Sequence, residues 1–158
     1  MEDIWNITAL VVSVLSVLLS LYALRQATTK NTSDMYLFFI SQYAKEDMKL
    51  ALRKLKDIKR GVYRLEQWES DMKNNLPKAF EYDEARRLVK YFYDTLAYMK
   101  LEKLIEARFV RLICLKKGAW LYLDTVEAME KFFDSGYDKK PYAVIRDVCE
   151  NLRKEGCC

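Results

Sequence analysis

Residues 4–24, IWNITALVVSVLSVLLSLYAL, hold no charge and little that needs water. At about 1.5 Å rise per residue the run makes a helix of roughly 31 Å, matching a bilayer core of about 30 Å. A cleaved signal peptide fits poorly, because Glu2 and Asp3 make the leading end acidic and no Ala-x-Ala site follows. The run is therefore expected to be a single transmembrane helix. Only Glu2 and Asp3 precede it, while Arg25 and Lys30 follow. That asymmetry predicts a single-pass protein of the cell membrane, with its N-terminus outside and its body in the cytoplasm.

Small residues recur within the run at Ala9, Ser13, Ser16, Ser20, Ala23 and Ala27, alternating steps of four and three. Such a stripe lets two helix backbones approach closely, so it is the expected surface for self-association or for contact with another membrane protein. The bilayer itself is the other expected partner. Residues 25–60 carry nine Lys or Arg against four acidic side chains. Just below a membrane, Arg25, Lys30, Lys45, Lys49 and Arg53 become candidates for contact with anionic headgroups. Nucleic acid is an unlikely partner on this reading.

The chain divides into an anchor with its polar joint, residues 1–30, and a body, residues 31–158. With 4 Gly and 2 Pro among 158 residues the body has few helix breakers. Residues 35–60 place Leu37, Ile40, Ala44, Met48, Ala51, Leu55 and Ile58 at steps of three and four, an amphipathic helix entered from Ser33 or Asp34. Its other face holds Lys45, Lys49, Arg53, Lys56 and Lys59. Gly61 ends or bends it, and Val62, Leu65, Trp68 and Met72 mark a short continuation. Asn74-Asn75-Leu76-Pro77 reads as a turn. A third helix follows over residues 83–104, with Ala85, Leu88, Phe92, Leu96 and Met99 inward. Residues 106–117 are turn-rich or a further helical piece. Residues 120–133 form a fourth helix after Gly118, and Pro141 opens the last one. The predicted fold class is all-α, a transmembrane helix followed by a compact multi-helix bundle.

Catalytic signatures are lacking. The chain has no histidine, which removes the commonest general base and a common zinc ligand. It has no Gly-x-Gly-x-x-Gly or phosphate-loop pattern. No cofactor, metal or enzymatic activity is expected. Cys114 and Cys149 fall in apolar patterns, whereas Cys157 and Cys158 read as an exposed tail. Arg108 or Arg111 is expected to turn inward and pair with Glu102 or Glu106. Tyr91, Tyr98, Arg108 and Trp120 are candidates to line a ligand cavity.

Residues 83–133, DEARRLVKYFYDTLAYMKLEKLIEARFVRLICLKKGAWLYLDTVEAMEKFF, are similar to uncharacterised prokaryotic membrane-anchored helical proteins, the domain of unknown function 4760. Arg87, Val89, Phe92, Tyr93, Leu96 and Trp120 carry the likeness. The resemblance implies a membrane span before a helical body and brings no activity with it. The expected function is a non-enzymatic, membrane-anchored scaffold or regulatory interaction module. Two alternatives are a small-ligand or lipid-sensing bundle coupled to anchor pairing, and a small membrane-acting defence or toxin-like effector.

Overall fold

The computed structural model describes the backbone of residues 2–134 and 136–157, and their side chains except at 2–14, 24–25, 27–29 and 31–32. Among the described residues every regular element is helical: α1 (Glu2–Ala44), α2 (Glu46–Lys59), α3 (Leu65–Lys73), α4 (Pro77–Leu101), α5 (Ala107–Cys114), α6 (Gly118–Leu121), a π-helical turn (Tyr122–Val126), α7 (Glu127–Phe133) and α8 (Lys140–Lys154). The chain forms two units, Met1–Leu37 and Phe38–Cys158.

The first unit corrects the expected anchor. Among the described residues no helix is long and apolar enough to cross a membrane. The single-pass topology, the outside N-terminus, the membrane localisation and the bilayer as partner lose their basis with it. Residues 26–34, QATTKNTSD, continue the helix, since they contain no Gly or Pro, so neither Ser33 nor Asp34 opens a new one. The interruption comes at Lys45, whose extended backbone (φ −60°, ψ 148°) starts α2. The single helix expected over residues 35–60 is thus two.

The second unit is built around α4. Pro77 occupies its first turn, where the missing N–H costs nothing, so the helix begins earlier than residue 83. Ala79, Tyr82, Ala85, Val89, Phe92, Leu96 and Ala97 lie buried along it. The helix packs α2 against one side and α8 against another, with α3 and the π turn also resting on it. Trp68 brings α3 in: its ring is fully buried and its Nε1 donates to the Ala79 carbonyl of α4 at 3.2 Å. α5 packs on α8, where Val110, Ile113 and Cys114 are buried, as is Cys149.

Four helices end in the same closure. After α2 the Gly61 and Val62 amides reach back to the Ile58 and Asp57 carbonyls. Asn75, Lys103 and Gly156 repeat the pattern after α3, α4 and α8. Each pivot has positive φ, between 54° and 73°. Gly and Asn take that conformation at little cost, and Lys103 takes it at a greater one.

Aromatic rings fill the centre. Phe39 meets Phe92 edge-on, Phe92 meets Tyr93, Tyr93 stacks on Tyr122, and Tyr122 lies parallel to Tyr142 with centroids 4.4 Å apart. Tyr137 closes the column against Tyr142.

Candidate functional site

The period of α2 separates its two faces. Met48, Ala51, Leu55 and Ile58 turn into the bundle. Lys49, Arg53, Lys56 and Arg60, at steps of four, three and four, line up along another face, spanning about 16 Å. With Lys59 they form one wall of an open groove of about 700 Å³. Leu52 of α2, Tyr43, at the end of α1, and Lys117, Gly118, Trp120 and Leu121, at and around α6, complete the lining.

Like charges dominate this groove. Lys49 pairs with Glu46 on its own helix, and Lys59 pairs with Asp124 of the π turn. Among the described residues no carboxylate pairs with Arg53, Lys56, Arg60 or Lys117. Lys56 and Lys59 in the last turn of α2 do favour the helix dipole. That effect fades within one turn and does not account for Lys49, Arg53 or Lys117.

Gly118 sets the depth of one end. Its amide donates to the Tyr43 hydroxyl at 3.3 Å. A Cβ there would lie 2.8 Å from the Tyr93 hydroxyl oxygen and 2.9 Å from that of Tyr43. Tyr93 cannot withdraw, since its ring is fully buried between Phe92 and Tyr122. Burial pushes the Tyr43 phenol up and the Tyr93 phenol far up, so both present neutral hydroxyls at neutral pH.

Behind the groove, charge is arranged differently. Asp83, almost fully buried, accepts from Arg86 Nε at 2.8 Å and Arg87 Nε at 2.7 Å. Arg86 also forms an ion pair with Glu130, and its guanidinium lies 4.7 Å from the Phe133 ring centroid. Lys90 pairs with Asp94, which accepts a hydrogen bond from Tyr122. Glu127 accepts from Tyr137 at 2.6 Å and pairs with Arg146. Burial, then the Glu127 carboxylate, holds the Tyr137 phenol at about 12. Burial, then Asp94, raises the Tyr122 phenol further. Each of these acidic side chains has a cationic partner, and the network fixes α4, α7 and α8 to one another.

The residues singled out from sequence fall in several places. Tyr91 is exposed beside a smaller pocket of about 310 Å³, which Phe38, Lys45 and Met48 also line. Tyr98 donates to Asp138. Arg108 pairs with neighbouring Glu106 at 2.7 Å and lies over Phe109. Only Trp120 of those four lines the basic groove. Arg111 pairs at the surface with Glu155, so the inward arginine is Arg86. Lys49 and Arg53 line the groove, and Lys30 is exposed in the first unit. Ser16, Ser20 and Ala23 are exposed, with the Ser20 hydroxyl donating to the Ser16 carbonyl of its own helix at 2.8 Å. The side chains of Ala9, Ser13, Arg25 and Ala27 lie outside the described residues, as does Cys158. Among the described residues no acidic or cysteine cluster could hold a metal.

Sequence reading missed Arg60, Lys117, Gly118 and Tyr43 as site residues. The steps of the α2 cations were a visible signal. That Trp120 and Lys117 come to stand opposite them was not, because α6 lies far along the chain.

No family model, no curated protein and no solved structure matches the chain. The resemblance to the domain of unknown function 4760 is accordingly corrected: apolar spacing and a few aromatics recur in any helical bundle. The membrane-anchored scaffold, the lipid-sensing bundle with paired anchors and the membrane-acting effector each require a span or a membrane, and the anchor stripe was the argument for self-association. With no such span among the described residues, these readings are withdrawn.

Proposed function

We propose that the bundle is a non-catalytic binding module for a phosphate-rich anion, held in the groove between α2 and α6. The observation that carries this is the set of four cations, Arg53, Lys56, Arg60 and Lys117, gathered around one groove without acidic partners among the described residues. Like charges held this close repel one another, and the repulsion lowers the stability of the fold. Other surface cations also lack a carboxylate, but these four line one groove, where a single anionic ligand could meet all of them. Arginine forks suit phosphate oxygens in bidentate fashion, and lysines supply mobile point charges beside them. The non-catalytic part of the proposal rests on the sequence, which offers neither histidine nor a phosphate-cradling glycine loop.

The test is thermal unfolding of the full chain with sodium tripolyphosphate, using sulfate at equal ionic strength as the control. A ligand at a hundred times its Kd stabilises by about 2.7 kcal/mol. In a chain of this size that raises Tm by roughly 5–11 °C. The Arg53→Ala/Arg60→Ala double variant should lose most of that rise. An equal rise in both proteins, or none in either, overturns the proposal.

A further inference from the structure

We infer that the anion is the backbone of a single-stranded nucleic acid, with one base stacked on Trp120. This inference rests on the anion-binding reading and commits it to one ligand class. Three observations carry it. The cation row on α2 extends about 16 Å, which at about 3.4 Å per nucleotide of a stacked strand corresponds to roughly five phosphates. A single triphosphate would leave part of that row unmatched. The site is an open groove rather than an enclosed cavity. Small-ligand sites usually surround most of their ligand, whereas a groove accommodates a polymer that continues past both ends.

The third observation is the aromatic pair. Trp120 and Tyr43 are half-buried in the same lining as the cations. Cationic tracks beside aromatic platforms bind single strands, the charges following the phosphates and the rings taking successive bases. A base in a duplex is already stacked on its neighbours and cannot lie on Trp120 without being extruded. The lining contains no Asn, Gln, Asp or Glu. The side chains that best discriminate adenine or cytosine edges are therefore absent from it, and any preference should be confined to guanine, whose edge suits arginine and lysine.

The experiment is fluorescence anisotropy of the full chain with a labelled oligonucleotide of about 15 nucleotides, within the range such sites cover. Its competitors are the matching duplex and inorganic polyphosphate of equal charge. Four unpaired cations predict a slope of log K against log salt near −3, from about −0.7 per neutralised phosphate. Lys56→Ala should reduce the slope by about 0.7. Trp120→Ala should weaken oligonucleotide binding roughly 5- to 100-fold and Trp120→Phe much less, with polyphosphate binding unchanged in both. Circular dichroism of each variant separates loss of stacking from loss of fold, and Trp120→Phe alone decides if Trp120→Ala unfolds. Polyphosphate binding as tightly as the oligonucleotide, or the duplex binding better than the single strand, overturns this inference and leaves the anion-binding reading standing. Failure of both oligonucleotide and polyphosphate to bind overturns the two together.

Discussion

The α2 face and the α4 face of the bundle treat charge in opposite ways. Along α4, Asp83, Arg86, Lys90 and Asp94 engage partners on their own helix, and Arg86 and Lys90 also reach Glu130 of α7. Along α2, Arg53, Lys56 and Arg60 stand beside one another with no carboxylate paired to them among the described residues. A buried charge left alone costs several kcal/mol, so the α4 side has little choice but to pair. A solvated cation costs far less, which makes an unpaired row on a surface groove affordable to the fold and open to selection for binding. The difference separates charges that hold the structure from charges that await something.

The largest expected effect comes from breaking the paired side. Arg86→Met would remove the cation shared by the buried Asp83 and Glu130 and leave them only Arg87 and Lys90, at a cost of about 3 kcal/mol. Arg53→Met on the groove side should stay within about 0.5 kcal/mol of wild type. Urea unfolding of the two variants measures both, and equal losses would erase the distinction. Next is Gly118→Ala, which drives a methyl into two phenol oxygens, one of them immovable. Overpacking of this kind costs about 1–3 kcal/mol. It should also disturb Trp120, two residues on, so anion binding and stability should fall together. A stable variant with normal binding would show that the Gly118 contact does not tie the two sides.

A third test uses pH. The Tyr137 phenol sits near 12 in the folded protein, against 10 for an ordinary tyrosine. Between those values the unfolded chain has released a proton that the folded one retains. Stability is therefore at its full value below pH 10 and falls as pH rises toward 12, by up to about 1.4 kcal/mol per pH unit for each such phenol. Tyr137→Phe should remove one phenol's share of that slope in denaturation curves at pH 9, 10 and 11. An unchanged slope would mean that Glu127 does not hold this proton. The smallest effect is at Asp124, the carboxylate that pairs with Lys59 beside the groove. Asp124→Asn should cost less than about 1 kcal/mol, as exposed pairs do. Freeing Lys59 should tighten tripolyphosphate binding a few-fold in calorimetry. Weaker binding would show that Asp124 orients Lys59 rather than competing for it.

Much of the bundle was legible because helices announce their faces and stops locally. The inward line of Met48, Ala51, Leu55 and Ile58, the stop at Gly61 and the proline at the start of α8 can be read within a few residues. Lys103 could not be read as a stop, since its left-handed backbone comes from the surrounding fold and not from a side chain that prefers it. The start of α4 was placed late because Asn74-Asn75-Leu76-Pro77 was read as turn alone, while Pro77 belongs to the first helical turn. The apolar run before residue 25 was over-read: hydropathy alone predicted a span. The groove was half legible. Its row on α2 is a local pattern, but Arg86 turning inward in place of Arg108, and Trp120 facing that row, depend on how distant helices meet.

The π turn has one further consequence. A π turn is an α-helix with one residue too many, so residues 118–121 are set about 100° out of phase with residues 127–133. That offset allows one continuous stretch to present Trp120 and Lys117 to the groove while Glu127 and Glu130 face Arg146 and Arg86. Deleting a single residue within 122–126 would restore the regular period and turn one set away from its partners. A one-residue deletion here is thus a larger change than many substitutions, because it would part the groove face from the paired face.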